Sequence, residues 1–249
     1  MILAKGTLHV VGFGPGGKDH MTFKAAEAIS KADVVTGYTT YVKLMKPIFP
    51  DKEYKATGMM KEVERCRMAI EDAMTGKDVA MISSGDSGIY GMAGIIYQLA
   101  DEMKADIDID VVPGITAAST AASVLGAPLM HDLAIISLSD LMTPIDLIMK
   151  RVDCAGIGDM IVCLYNPKSK GRTEYLAQAQ EILLKHRKAD TPVGIVRNAG
   201  RDDEKSAITT LGDLDKADVD MFCIVIIGNS QTYVSNGRMI TPRGYRLEE

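Results

Sequence analysis

The chain has 249 residues, of which 47% are hydrophobic and 24% are charged, and its formal net charge is −5. This length suits one large α/β domain or two smaller ones, and the acidic balance argues against a nucleic-acid partner, which usually needs a basic excess. No apolar run approaches the ~20 residues that a membrane span requires. Residues 1–30 lack a secretory pattern, so we expect a cytoplasmic protein with neither nucleic acid nor membrane as partner.

The cysteines give no sign of a metal site. They are Cys66, Cys154, Cys163 and Cys223. None forms a C-x-x-C pair, and none lies at zinc-ligand spacing from a histidine. Cys163 and Cys223 fall inside apolar, strand-like runs. We therefore expect reduced cysteines that pack as small hydrophobic side chains, and no protein-bound metal.

Strand-like and helix-like segments alternate through the first half of the chain. Short apolar runs indicate buried strands, and apolar residues at helical spacing indicate amphipathic helices. In segment 60–74, for example, Val63, Cys66, Arg67 and Ile70 fall near helical spacing, and the glycine that follows closes the helix. The predicted strands are 7–13, 33–36, 78–83 and 107–112, and the predicted helices are 22–31, 60–74, 89–103 and 115–125.

Gly126-Ala127-Pro128 interrupts this pattern, and the alternation then begins again. The second half is richer in strands that could pair antiparallel. Its predicted strands are 133–138, 159–165, 192–197, 207–211 and 222–227, and its predicted helices are 143–152, with a proline in the first turn, and 173–186. We therefore predict an α/β protein of two lobes with mixed, mostly parallel sheets, divided into domains 1–126 and 127–249.

A glycine-rich loop, Gly12–Gly17, follows the first strand and formally matches the dinucleotide pattern G-x-G-x-x-G. Two features count against a dinucleotide. The second strand ends in Thr36-Gly37-Tyr38 and lacks the acidic residue that would bind a ribose, and Pro15 lacks the N–H that a pyrophosphate would use. The glycines either let another bulky ligand approach the backbone or make a tight strand–helix turn.

Five motifs in order along the chain resemble those of one family. The segments are VGFGPG at 11–16, SGDSGIYG at 84–91, PGITAA at 113–118, LYNP at 164–167 and VRNAG at 196–200. They resemble the motifs of the tetrapyrrole methylases, the class III methyltransferases that use S-adenosylmethionine (SAM). The resemblance spans essentially the full length. It implies a fold of two α/β lobes with SAM in the crevice between them.

The resemblance narrows further at residues 83–94, 129–144, 165–172, 194–201 and 227–234. These segments are similar to those of the branch that methylates C17 of precorrin-3B or cobalt-factor III in cobalamin biosynthesis. That branch also contracts the macrocycle. The resemblance thus implies a methyltransferase with SAM as donor, a corrin-type tetrapyrrole as acceptor and a homodimeric state. The alternative is a methyltransferase of the same fold that acts on another corrin position, on protein or on RNA.

By resemblance, the donor site takes residues from both halves of the chain. Two positions depart from the family pattern: Ser87 replaces a common proline, so we expect a less rigid turn, and Ala199 replaces a common glycine. Asp86 alone has an alternative structural role, as the N-cap of a helix before Ile89. The implied SAM contacts are Pro15, Ser84, Gly85, Asp86, Ile89, Tyr90, Thr116, Ala117, Tyr165, Asn166, Asn198 and Ala199.

The acceptor of this family carries many carboxylates, which Arg and Lys bind well. Basic residues follow two predicted strands, and they either face the acceptor or form a solvated basic surface. Together with the glycine loop and the end of the second strand, they give the predicted tetrapyrrole contacts Gly14, Pro15, Gly16, Tyr38, Lys168, Arg172 and Arg201, beside which Lys170 and Arg197 also lie. No residue is singled out for proton transfer. The candidates are Asp140, Thr143, Tyr165 and His131, the last more typical of a loop histidine.

Two further hypotheses stay open at this point. A dinucleotide-dependent oxidoreductase would rest on the glycine loop alone. A non-catalytic tetrapyrrole or cobalt carrier would bind the acceptor without affinity for SAM. Transfer of a sulfonium methyl needs no metal and no catalytic triad, since the protein mainly aligns the two reactants and excludes water. The chain offers neither clearly, which does not separate a methyltransferase from a carrier.

Overall fold

The computed structural model describes residues 5–169 and 171–246, and these form two compact units, Met1–Ala117 and Ala118–Glu249. Each unit is an α/β structure, as the sequence predicts. The units divide at the first residue of a helix, whereas the sequence places the boundary at residue 126, where that helix ends. Almost all of this helix belongs to the second unit, where its Leu125 side chain fills the space beside Gly194.

Unit 1 alternates strands and helices. Its strands are β1 (Thr7–Gly12), β2 (Val34–Tyr38), β3 (Glu53–Thr57), β4 (Val79–Ser83) and β5 (Asp108–Val112). Its helices are α1 (Phe23–Lys31), α2 (Thr39–Met45), α3 (Glu62–Met74) and α4 (Ala93–Met103), with a short 3₁₀ turn at Lys18–His20. Helix α1 begins where the Thr22 hydroxyl accepts a hydrogen bond from the Ala25 N–H at 3.1 Å, which is ordinary N-capping.

The five strands of unit 1 form one parallel sheet in the order β3-β2-β4-β1-β5. Helices α1 and α2 pack on one face and α3 and α4 on the other. All five strands therefore end at the same edge. The connections leaving the neighbouring strands β1 and β4 run to opposite sides, and in doubly wound sheets such a switch point is where ligands bind, outside the carboxyl ends of the strands.

Helix α3 buries a different stripe from the one predicted. Its buried residues are Arg65, Cys66, Ala69, Ile70 and Ala73, whereas Val63 is 52% exposed and the Arg67 side chain is 42% exposed. The predicted stripe is therefore right at Cys66 and Ile70, but Arg65 lies on the inner face of the helix in place of Arg67. Arg65 is buried because its guanidinium donates hydrogen bonds to the Thr57 hydroxyl and the Gly58 carbonyl at the end of β3.

Unit 2 contains three helices, α5 (Ala117–Leu125, starting at the last residue of unit 1), α6 (Ile145–Ile157) and α7 (Tyr175–Leu183), and a 3₁₀ segment at Leu211–Lys216. Its strands are β6 (Gly126–Ala127), β7 (Leu133–Ser137), β8 (Ile161–Tyr165), β9 (Pro192–Arg197), β10 (Lys205–Thr210), β11 (Cys223–Ile227), β12 (Tyr233–Ser235) and β13 (Arg238–Ile240). Proline 144 immediately precedes α6, which agrees with its predicted place at a helix start.

The main sheet of unit 2 has the order β10-β9-β11-β8-β7 and is mostly antiparallel, as expected for this half. Because β8 and β9 both run antiparallel to β11, and β7 runs parallel to β8, the strands β7, β8 and β9 end at the same edge. A small sheet of order β12-β13-β6 completes the unit. Its hairpin turns at Asn236-Gly237, both with positive φ, the preferred sequence for a tight hairpin.

Within the described part of the chain, no helix is both long enough and apolar enough to cross a membrane.

Candidate functional site

The loops that follow β1, β4 and β5 interlock at the carboxyl edge of the unit 1 sheet. The Gly14 N–H donates to the Gly85 carbonyl at 2.9 Å. A Cβ on Gly14 would overlap the backbone of Gly85, and one on Gly114 would overlap the Gly85 carbonyl. These glycines are therefore required for the loops to pack against one another. Gly14, Pro15 and Gly16, predicted to contact the tetrapyrrole, are all buried.

Asp86 joins two of these loops through its carboxylate. One oxygen accepts the N–H groups of Gly88 and Ile89, at 2.8 and 3.1 Å. The other accepts the Gly114 N–H at 3.0 Å. Helix α4 begins only at Ala93, so Asp86 does not cap that helix, and the N-cap alternative is wrong. Asp86 instead closes the turn after β4 and holds it to the loop after β5.

Ser87 fixes the same turn to the end of β5. Its side chain is buried, and its hydroxyl donates to the Val112 carbonyl at 3.2 Å. Its own carbonyl accepts the Ala93 N–H at 3.0 Å. The hydroxyl therefore ties the turn to the end of β5, and the lower rigidity expected without a proline stays a prediction.

Around these anchors, the remaining unit 1 residues predicted to contact SAM are accessible to different degrees. Gly85 is buried with a φ of 69°. Ser84, Thr116 and Ala117 are half-buried. Ile89 is 37% exposed and Tyr90 is 55% exposed. The structure thus brings the three predicted segments of this unit to one place, where several of their residues are half-buried or exposed.

Tyr38 lies at the end of β2 and belongs to a small aromatic group beside the glycine loop. Its ring meets that of Tyr41 edge-on at 5.3 Å between centroids, and Tyr41 meets Phe13 in the same way at 5.6 Å. The guanidinium of Arg65 lies 6.0 Å from the Tyr38 ring centroid. Arg65 also donates to the Thr57 hydroxyl at 2.7 Å. The sequence does not single out Arg65, which lies in the first turns of α3.

In unit 2, the loop after β8 is fixed to the end of β7. Asn166 has a φ of 50°, a left-handed conformation that asparagine tolerates. Its side-chain amide donates to the Ser137 hydroxyl at 2.9 Å. The Tyr165 hydroxyl accepts the Ala118 N–H at 2.8 Å. Tyr165 therefore holds the first turn of α5, which differs from the proton-transfer role considered for it.

Arg172 is mostly buried and binds protein groups. It donates to the Leu138 carbonyl at 3.2 Å and to the Ser169 hydroxyl at 3.1 Å, and it lies 3.9 Å from the Asp140 carboxylate. The Tyr175 hydroxyl donates to Asp140 at 2.8 Å, and this hydrogen bond raises the pKa of Tyr175. Arg172 thus binds the loop after β7 to the loop after β8. Lys168 is half-buried nearby, and Lys170 lies outside the described residues.

The loop after β9 is a tight turn. Asn198 has a φ of 52°, and its side-chain amide donates to Asp203 at 2.7 Å. Its carbonyl accepts the Arg201 N–H at 3.0 Å. Arg197, at the end of the strand, pairs with Asp220 at 2.8 Å. Ala199, which replaces the glycine common in the family, is half-buried within this turn.

The two predicted donor segments of unit 2 lie at the same sheet edge. Strands β8 and β9 flank β11 and point the same way. Neighbouring strands are ~4.8 Å apart, so the ends of β8 and β9 are about 10 Å apart. Each unit therefore presents its own cluster of predicted site residues at the carboxyl ends of its strands. That both clusters face one SAM crevice stays a prediction. Among residues 5–169 and 171–246, no three His, Cys, Asp or Glu side chains converge as metal ligands.

Comparison with known proteins assigns the chain to a family. Residues 7–215 match the profile of the tetrapyrrole (corrin/porphyrin) methylases. The chain is 52% identical, over 96% of its own length and 100% of the relative's, to a protein of Salmonella typhimurium named "Probable cobalt-factor III C(17)-methyltransferase". A protein of Methanocaldococcus jannaschii with the same name is 46% identical over 96% of this chain and 97% of its own.

Solved structures agree with the sequence relatives. The crystal structure of the methyltransferase CobJ has a TM-score of 0.90 and 31% identity, and the match covers 95% of this chain and 100% of that one. A Thermus thermophilus uroporphyrin-III C-methyltransferase in complex with S-adenosylhomocysteine has a TM-score of 0.68 over 90% of this chain and 92% of its own, and at 22% identity this likeness concerns the fold alone. The chain belongs to the tetrapyrrole (corrin/porphyrin) methylases.

Proposed function

We propose that this chain transfers the methyl group of SAM to C17 of cobalt-factor III, or of its cobalt-free counterpart precorrin-3B, in cobalamin biosynthesis. The observation that carries the proposal is the 52% identity over the full length of the Salmonella relative, whose name specifies this substrate and position. A Priestia megaterium relative named "Cobalt-factor III methyltransferase" is 47% identical over 97% of this chain, which spans 46% of that longer protein. The names favour the cobalt-containing acceptor. Contraction of the macrocycle comes from the family resemblance.

The chemistry asks little of individual side chains. The sulfonium of SAM already activates the methyl group, so transfer breaks one carbon–sulfur bond, forms one carbon–carbon bond and leaves S-adenosylhomocysteine. The protein contributes by holding donor and acceptor in line and by excluding water. The interlocked backbone of the unit 1 loops suits this task. Asp86 accepts three N–H groups and Ser87 fixes the turn, so the donor-facing surface is preorganised.

We assign the donor site to the half-buried groups that these anchors position. Ser84, Thr116 and Ala117 offer hydroxyl, N–H and carbonyl groups around Gly85, which suits the adenosine and amino-acid groups of SAM. Asp86 acts on the donor through the backbone that it orients, since three N–H groups already use its oxygens. Pro15 in unit 1, and Tyr165, Asn166, Asn198 and Ala199 in unit 2, complete the proposed set, and we assign Ile89 and Tyr90 to the acceptor instead.

For the acceptor, we propose contacts with its carboxylates from Lys168 and Arg201, and with its ring from Tyr38. Arg172 contributes by fixing the loop that carries Lys168, because its own donors bind the Leu138 carbonyl and Ser169. Gly14, Pro15 and Gly16 shape the floor beneath the acceptor from their buried positions. From the family resemblance we further propose a homodimer, and from the composition and sequence pattern we propose a cytoplasmic protein with no nucleic-acid or membrane partner and no protein-bound metal.

Anaerobic incubation of the protein with SAM and cobalt-factor III tests the proposal. We expect mass spectrometry to show one added methyl group per acceptor and an equal amount of S-adenosylhomocysteine, and isothermal titration to show binding of S-adenosylhomocysteine. A parallel reaction with precorrin-3B compares the two acceptors. A carrier would bind cobalt-factor III without binding S-adenosylhomocysteine. Donor binding without methylation of either acceptor would direct the search to another corrin position.

A further inference from the structure

Two bulky residues of unit 1 adopt a backbone conformation that disfavours them. Met60 has a φ of 60° and Tyr90 a φ of 54°, in the left-handed region where the side chain crowds the backbone. The other non-glycine residues with positive φ have ordinary reasons for it. Lys104 ends helix α4, and the remaining four, Asp159, Asn166, Asn198 and Asn236, are of the types that tolerate this region.

Burial in the hydrophobic core of unit 1 does not accompany this strain. The Met60 side chain is 76% exposed and Tyr90 is 55% exposed, and their neighbours Met59 and Ile89 are 58% and 37% exposed. Large apolar side chains on strained backbone, directed toward solvent, contribute little to a hydrophobic core. Strain that is kept without such a gain is characteristic of binding sites, and a contiguous exposed apolar surface marks a place where something docks.

The topology puts these residues at one place on the sheet edge. Met59 and Met60 follow β3, Ile89 and Tyr90 follow β4, and both strands neighbour β2, which ends at Tyr38. The two loops lead into α3 and α4, which pack on the same face of the sheet. Since strands are ~4.8 Å apart, the chain leaves β3 and β4 about 10 Å apart, comparable to the width of a tetrapyrrole ring.

Buried Arg65 supports the first of these loops. Its guanidinium donates to the Thr57 hydroxyl at 2.7 Å and to the Gly58 carbonyl at 3.3 Å, directly before Met59. The same guanidinium lies over the Tyr38 ring. The loop after β4 is held by Asp86 and Ser87. Both loops therefore have fixed bases, and their apolar side chains extend from rigid supports.

We propose that Met59, Met60, Ile89 and Tyr90 form an apolar ledge that contacts the flat face of the tetrapyrrole acceptor. This inference rests on the proposed function and names residues that bind its acceptor. A conjugated macrocycle presents apolar faces and an acidic rim. Thioethers adapt to such a face, and a tyrosine ring stacks on it. Lys61, adjacent to Met60 and largely exposed, can meet a rim carboxylate. The smaller, more polar SAM matches the backbone groups around Gly85 better than this ledge.

Met60→Gly and Tyr90→Gly test the ledge, because each removes the side chain and the backbone strain together. We expect Met60→Gly, which removes a side chain that is 76% exposed, to raise Tm by about 2–4 °C, since glycine adopts positive φ freely. We also expect each variant to raise the KM for the acceptor about tenfold, while the Kd for S-adenosylhomocysteine stays within twofold.

Lys104→Gly is the matched control. It relieves the same kind of strain at a φ of 51°, but it lies at the far end of α4, toward the edge where the strands begin. It should raise Tm and leave the acceptor KM unchanged. An unchanged acceptor KM in both Met60→Gly and Tyr90→Gly would overturn the ledge, and so would weaker S-adenosylhomocysteine binding in both variants or a lower Tm in Met60→Gly. If the parent protein methylates neither acceptor, the proposed function fails first, which is a distinct result.

Discussion

At the scale of single residues, the site loops depend on groups that bind the protein itself. The Asp86 carboxylate accepts three backbone N–H groups, and the glycines beside it leave room for neighbouring backbone. A motif residue in such a loop can thus serve the ligand without touching it, because the ligand meets the surface that the residue organises. Gly85 is the residue at which contact with the ligand and shape of the loop can be separated experimentally.

Gly85→Ala should weaken donor binding with only a modest loss of stability. Gly85 has a φ of 69°, and an added Cβ would lie 3.8 Å from the Ala117 nitrogen and 3.9 Å from the Thr116 Cα. These are ordinary contacts, so the protein accepts the methyl group at a backbone cost of about 1–2 kcal/mol. The methyl group would, however, occupy space beside the two residues assigned to SAM. We expect the Kd for S-adenosylhomocysteine, measured by isothermal titration, to rise at least about tenfold, or ~1.4 kcal/mol.

Gly237→Ala provides the comparison. Gly237 has a φ of 71° with open space around it, and it lies in the β12–β13 hairpin of unit 2. This variant should lose a similar free energy of unfolding in urea and bind S-adenosylhomocysteine as the parent protein does. Equal donor affinity in the two alanine variants would remove Gly85 from the donor site.

At the scale of elements, the sequence predicts what periodicity controls. Apolar runs and helical stripes locate most of the strands and helices, because burial of one face imposes the pattern. Two elements of unit 1 are missed. Strand β3 reads EYKAT and is an edge strand with mostly exposed or half-buried residues, and α2 has only seven residues. Helix α4 starts at Ala93 instead of 89, because Asp86 and Ser87 hold the preceding turn.

Some features of the candidate site can also be predicted from the sequence, and others cannot. Motifs at strand ends predict which loops gather, since parallel strands end at a common edge. Contacts between residues distant in sequence are not predicted. The hydrogen bond from Arg172 to the Leu138 carbonyl is one such contact. Arg65 and Arg187 carried no signal beyond being charged residues in helical or loop segments. Burial of a charge depends on carbonyls and hydroxyls brought together only by the fold.

Arg187 is such a residue, and it should be one of the larger contributors to the stability of unit 2. It follows α7 and is 7% exposed. It donates to the carbonyls of Gly228 at 2.7 Å, Ala155 at 3.5 Å and Met160, so it joins the ends of α6 and β11 to the start of β8. Arg187→Met would leave these carbonyls without their donor. We expect a loss of about 3 kcal/mol in the free energy of unfolding, measured in urea.

Arg197→Met is the control within the same unit. Arg197 pairs with Asp220 at 2.8 Å, but the two side chains are 42% and 35% exposed. Exposed ion pairs contribute about 0–1 kcal/mol, so this variant should lose little. If both methionine variants lost the same amount, loss of positive charge, and not the carbonyl contacts, would explain the effect of Arg187→Met.

At the scale of the whole molecule, buried thiols link the stability of both units to alkaline pH. Burial raises the pKa of Cys66 in unit 1 to about 11. In unit 2, burial raises the pKa of Cys163 to about 12 and that of Cys223 to about 11. Cys154 is exposed. The free energy of unfolding should therefore fall at alkaline pH because of the three buried thiols, and it should fall most for the thiol that is most buried.

Cys163 gives the clearest test, because it lies fully buried in the centre of β8. The ordinary pKa of a thiol is 9.0 and that of folded Cys163 is about 12. Between these values the unfolded chain releases the thiol proton and the folded chain keeps it. The stabilising contribution is thus fully present below pH 9 and declines as the pH rises toward 12. Cys163→Ala lacks this decline but loses packing, by an amount that does not depend on pH.

The difference in the free energy of unfolding between the parent protein and Cys163→Ala, measured in urea, should therefore be constant from pH 7 to about 8.5. Above pH 9 it should fall by up to about 1.4 kcal/mol per pH unit, until the variant becomes the relatively more stable form. Cys154→Ala removes an exposed thiol, so its difference from the parent protein should be small and flat over the same range. A flat profile for Cys163→Ala as well would mean that water reaches β8 in the folded state, contrary to the packing of this core.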